Sequence, residues 1–153
     1  MTFDQLPPRA QFAMNAAREA GLLARRIQHD TAAKRMDKDD RSPVTVADFA
    51  GQAVVAKLLR DAEPDAVLVA EEGAAGLRES GDEKMVASIA GAASAICGTE
   101  KADEILGWID VGQADPADAF WTLDPIDGTK GYFRNEQYAV ALAYLEGGEI
   151  QIG

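Results

Sequence analysis

Phe12, Ala16, Ala20, Leu23 and Ile27 recur at spacings of four, four, three and four, with Arg18, Glu19, Arg25 and Arg26 between them. Side chains spaced this way share one face of an α-helix, so the pattern predicts an amphipathic helix over about 9–29, entered through Pro7 and Pro8. HDTAAKRMDKDDRSPVT has no periodic apolar positions and predicts a charged loop. Thr45, with Asp48 three residues on, reads as an N-cap and capping box, and FAGQAVVAKLLRDA as the second helix. AVLVAEE, residues 66–72, is a short apolar run closing on two glutamates and predicts a buried strand. GAAGLRESGDE predicts a loop, and residues 84–106 an alanine-rich helix broken near Gly98. WIDVGQADPADAF carries no clear period, whereas FWTLD reads as a strand. QYAVALAYL and EIQIG, joined by EGG, predict a hairpin. The order helix, helix, strand, helix, strand, hairpin predicts an α+β fold whose sheet is mixed or antiparallel.

Composition narrows the picture. A chain of 153 residues suits one domain, and 47% hydrophobic residues allow a real core. A formal charge of -11 argues against a nucleic-acid polymer as partner, because that backbone needs a basic face. It leaves room for an acidic cleft that holds cations. The single cysteine, Cys97, lies in an apolar run and reads as core filler in a reducing compartment. No basic start followed by an apolar stretch marks a targeting segment, and the longest apolar run, 85–97, is too short to span a bilayer. These features predict a cytoplasmic protein with no membrane partner. The strand pattern runs up to Gly153, from which a missing second half of the fold is expected.

The chemistry concentrates in WTLDPIDGTKGYFR, residues 121–134. Asp-Pro and Asp-Gly are turn formers, and either alone would be structural. Here Asp124 and Asp127 bracket one turn at the end of a strand, and like charges held close repel unless a cation lies between them. Magnesium, a hard ion that takes oxygen ligands, suits such a pair. Gly128 lets backbone approach a ligand, Thr129 offers a hydroxyl, and a helix starting near Thr129 would aim free amides at an anion. The spacing does not match a P-loop, and two residues separate the aspartates where an aspartyl-phosphate phosphatase has one. Glu71 and Glu72 stand at a strand end and Asp48 on a helix's first turn; each has a structural reading as a solvated end or a cap. His29 lies in a polar stretch, and no Ser-His or Cys-His pairing suggests a protein nucleophile.

KDDRSPVTVAD (38–48), VAEE (69–72) and WTLDPIDGTKGY (121–132) together resemble the inositol monophosphatase superfamily of magnesium-dependent, lithium-sensitive phosphatases. Lys130 and Gly131, where inositol monophosphatases usually have Thr-Asn, make the chain similar to the 3'(2'),5'-bisphosphate nucleotidases. Those enzymes remove the 3'-phosphate of adenosine 3',5'-bisphosphate to give AMP. The resemblance implies the N-terminal half of a layered αβαβα sugar-phosphatase fold, with two long helices against a largely antiparallel sheet. Residues 1–153 would form its metal-binding domain, and the C-terminal domain would be absent.

The resemblance also implies roles. Glu71, Asp124, Asp127 and the carbonyl of Ile126 would bind Mg2+. Asp48 and Thr129 would position and deprotonate the attacking water, Gly128, Thr129 and Lys130 would hold the phosphate, and Lys38 would lie in a loop closing over the metal. Family members carry a further aspartate in a C-terminal Trp-Asp motif, which Trp108-Ile109-Asp110 does not reproduce in context. The expected substrate is a small phosphorylated molecule. Inositol phosphate or a sugar bisphosphate is the alternative, and so is an inactive fragment that binds metal or pairs with another chain, or with itself as a dimer, through its uncovered C-terminal edge.

Overall fold

The computed structural model describes residues 2–33 and 42–153. Helix α1 runs Pro8–Ala33 and α2 Ser42–Ala62. Strand β1 is Leu68–Ala70, followed by three helices, α3 (Ala75–Ser80), α4 (Glu83–Cys97) and α5 (Ala102–Asp110). Strand β2 is Ala119–Asp127, α6 is Thr129–Phe133, and β3 (Ala139–Glu146) and β4 (Glu149–Ile152) close the order. The four strands lie in sequence order in one sheet; β1 pairs with β2 in parallel and the other two pairings are antiparallel. The expected α+β fold with a largely antiparallel sheet is what the chain adopts.

Helix α2 is the centre of the molecule. Every residue from 50 to 56 is buried. On one side α2 shares a core with α1 and the sheet through Val55, Leu59, Leu68, Trp121 and Leu142. On the other it packs on α4 and α5 through Val54, Ile89, Ala93 and Ile105. Ala13, Ala16 and Ala20 form the contact face of α1, and small side chains there let the two helices approach closely. Trp121 is fully buried, wedged between the rings of Phe12 (centroids 4.9 Å apart) and Tyr144 (5.2 Å). The thiol of Cys97 is buried and its pKa is pushed up to about 11 by loss of hydration, as befits core filler.

Three expectations change. Thr45 does not cap α2: the helix already starts at Ser42, with Pro43 in the first turn, where its missing N–H costs nothing. Residues 73–83 are not all loop. α3 forms there because Leu77 is buried and Asp110, at the end of α5, accepts from the Ala74 amide (2.9 Å) and pairs with Arg78 (2.7 Å). The expected strand 66–72 shortens to three residues, which leaves Glu71 and Glu72 beyond its end. Lys38 lies outside the described residues.

The break at Gly98 is a left-handed cap ending α4, with φ +73. Gly147 and Gly148, both at positive φ (59 and 81), make the tight turn of the β3–β4 hairpin. Among the described residues, no helix is long and apolar enough to cross a membrane.

Candidate functional site

Parallel pairing decides where the acidic residues meet. Ala70 of β1 lies opposite Leu123 of β2, and both strands run the same way. The next residues are therefore side by side: Glu71 just past the end of β1 and Asp124 in β2, where it still pairs with Ala141 of β3. Helix α2 packs against β2, and Asp48 near its start is within reach of the charges of Glu72, Glu71 and Asp124. Three stretches far apart in sequence thus present their carboxylates to one region.

The electrostatics report this closeness. Asp48 is half-buried and its carboxyl is pushed up to about 7, first by loss of hydration and then by the charges of Glu72, Glu71 and Asp124. Glu72 is raised by the same loss, then by Glu71 and Asp124. Asp124 is raised by burial and by Asp127, and held back by the Ile126 amide, which donates to its Oδ1 at 3.1 Å. Among the described residues, no positive charge figures among the groups that shift these three acids. Glu72, half-buried, acts on Asp48 more strongly than the exposed Glu71 does, so the second glutamate of the pair belongs to the cluster as much as the first.

The turn after β2 is built around its glycines. The register with β3 breaks between Asp124 and Asp127, at Pro125, which has no ladder N–H to give. Gly128 sits at φ +92 and caps α6, which begins at Thr129 as the sequence suggested. The Thr129 hydroxyl donates to the Ile126 carbonyl at 3.3 Å, so two of the expected site groups already touch. Lys130 is exposed beside them. The Tyr132 hydroxyl donates to the Ala24 carbonyl of α1 at 2.8 Å, and Gln28 donates to the Tyr132 carbonyl at 3.0 Å, which ties the turn to the helix layer.

The donors suit a hard cation: all are oxygens and several are carboxylates. Among the described residues no three acidic, histidine or cysteine side chains close to the separation that holds a metal.

Residues that spacing could not single out hold this region together. Gln52, one turn beyond Asp48 on α2, is fully buried. Its Nε2 donates to the Glu72 carbonyl (2.5 Å) and the Ile109 carbonyl (2.7 Å), and its Oε1 accepts from the Glu72 amide (3.0 Å). Gln113 also donates to the Glu72 carbonyl, at 2.6 Å. The available signal was a lone amide in the apolar run FAGQAVVA.

Residues 5–153 match the model of the Inositol monophosphatase family. The chain is 39% identical over 155 residues to 3',5'-bisphosphate nucleotidase 2 of Arabidopsis thaliana. It is 37% identical over 152 residues to the 3'(2'),5'-bisphosphate nucleotidase of Emericella nidulans, and 37% over 164 residues to that of Schizosaccharomyces pombe. These alignments take in 90%, 90% and 97% of this chain, but 45%, 43% and 46% of the respective relatives, so the chain spans less than half the length of each.

Proposed function

The chain belongs to the inositol monophosphatase family, and from that premise we propose that it carries the metal-binding part of a magnesium-dependent phosphomonoesterase. The substrate we infer is adenosine 3',5'-bisphosphate, cleaved at its 3'-phosphate to give AMP. The observation that carries the reading is the meeting of Asp48, Glu71, Glu72 and Asp124, whose charges act on one another. The bisphosphate nucleotidases among the relatives support the substrate class.

Glu71, Asp124, Asp127 and the Ile126 carbonyl would hold Mg2+, which when bound supplies positive charge against the phosphoryl oxygens and the attacking water. The Asp48 carboxylate would take the proton of that water. The Thr129 hydroxyl would help to position that water. The Gly128 and Thr129 amides and the Lys130 amine bind phosphate oxygens. Water oxygen bonds to phosphorus, the bond from phosphorus to the ribose 3'-oxygen breaks, and that oxygen takes a proton from solvent water to leave as the hydroxyl of AMP.

Phosphate release from adenosine 3',5'-bisphosphate, followed as Mg2+ is titrated, tests this. The chain is assayed alone and fused to the part of the Arabidopsis thaliana relative that it does not span. Mg2+-dependent release that lithium suppresses is expected from the fusion, with inositol monophosphate and a sugar bisphosphate as weaker competitors. A folded fusion that releases no phosphate from any of the three removes the reading.

The edge strand β4 supports a second copy as partner. Its outer side has no neighbour among the described strands, and Ile150 is 69% exposed. Size-exclusion elution at rising concentration is expected to shift toward a dimer, and Ile150→Lys to abolish the shift; a monomer at every concentration counts against the pairing.

A further inference from the structure

A glutamine in the middle of a helix core is costly unless all its hydrogen-bonding groups are used. Gln52 meets that condition: its oxygen accepts once and its amide nitrogen donates twice. The first and third of these bonds go to the two sides of one residue's backbone, Glu72, in the manner of a strand partner. The remaining bond reaches the Ile109 carbonyl on α5. The packing leaves room for this arrangement because residue 112 is glycine. A Cβ there would lie 2.6 Å from Gln52 Nε2 and 2.8 Å from the Ala70 Cβ.

Asp48 and Gln52 are four residues apart on α2, hence on one face, and α2 is locked between two cores. A bond from Gln52 to Glu72 therefore fixes the segment carrying Glu71 and Glu72 at a set distance from Asp48. Beyond Ala70 the chain has left the sheet ladder, so strand pairing with β2 does not hold that segment. Gln113 reinforces the hold from the turn after α5.

We propose that Gln52 is a positioning residue: through its paired bonds to the Glu72 backbone it sets the spacing between Asp48 and the Glu71–Glu72 strand end, and so the affinity of that end for a divalent cation. The inference rests on the metal site read above. Gln52 touches neither ion nor substrate; it acts through the backbone of its neighbour, as outer partners of metal ligands do.

The test uses the whole chain, Mg2+ alone as probe, and the variants Gln52→Leu and Val55→Ala. Val55 is buried on the same helix, against the sheet, and reports what a loss of core packing does by itself. Two quantities are read in each protein: hydrogen exchange of the Glu72 amide relative to the Val54 amide, and the Mg2+ dissociation constant by calorimetry. Gln52→Leu is expected to speed exchange at Glu72 selectively and to weaken Mg2+ binding about tenfold or more, whereas Val55→Ala leaves the constant within about twofold. A Gln52→Leu protein that releases the Glu72 amide yet binds Mg2+ as the parent does overturns the proposal. So does one whose Glu72 amide stays protected, and so does an equal loss of affinity in Val55→Ala. A parent chain that takes up no Mg2+ shows itself before any variant is made; that result removes the metal-site reading, and this inference falls with it.

Discussion

With Mg2+ withheld, Asp48→Asn is expected to stabilise the folded chain near pH 8, by on the order of 3 kcal/mol once the partial exposure of Asp48 is allowed for. The sign follows from the raised carboxyl. In the unfolded chain Asp48 titrates near 3.8, and in the folded chain near about 7. Below the lower value both states hold the proton and Asp48 costs nothing. Between the two values the folded state holds a proton that the unfolded state has released. As pH rises through about 7 that advantage is lost, and a half-buried charge faces Glu72, Glu71 and Asp124. Parent stability is therefore expected to fall from about pH 4 to about pH 7, and Asp48→Asn to remove much of the slope. Glu72 and Asp124, also raised, keep part of it in the variant. Urea denaturation of both proteins in chelator across this range measures the difference between them; a difference that does not change with pH rules the account out.

Gly131→Ala is expected to destabilise the chain by about 3 kcal/mol, the upper part of the usual range for forcing an extra carbon into a packed site. The Cβ would lie 2.0 Å from the carbonyl oxygen of Gln137, a backbone atom that cannot rotate away. Neither side can yield cheaply. The Gly131 carbonyl accepts from Arg134 (3.1 Å) and Glu136 (2.7 Å), and Asn135 between them is already at φ 60. Relief requires α6 to shift, and with it the Tyr132 hydroxyl bond to Ala24 that anchors the turn. The same shift displaces Thr129 from Ile126, so weaker Mg2+ binding should accompany the loss of stability. A urea midpoint equal to the parent's, with the Tyr132 bond intact by NMR, would show that the turn has slack the geometry denies.

Much of the architecture was legible where the signal is local. The four-and-three spacing of Phe12 to Ile27 needs only the helix period, the break at Gly98 only a residue that accepts positive φ, and the hairpin only two glycines between alternating strands. The readings that failed depended on distant partners. Residues 75–80 look like loop, yet Asp110, some thirty positions on, holds the first turn of a helix there. Thr45 resembles a cap until Ser42 and Pro43 are seen to open the helix a turn earlier.

For the candidate site, the chain by itself determined which groups are available: oxygen donors at Asp48, Glu71, Glu72, Asp124 and Asp127, and glycines at 128 and 131 where the backbone must turn or pass closely. Spacing along a polymer cannot say which of these donors meet, because parallel strands and a crossing helix join residues whose separation in sequence carries no directional information. Tertiary structure decided that. The β1–β2 register sets Glu71 beside Asp124, and the packing of α2 brings in Asp48. A buried amide at Gln52, indistinguishable in sequence from an ordinary polar residue, ties the Glu72 backbone to that helix.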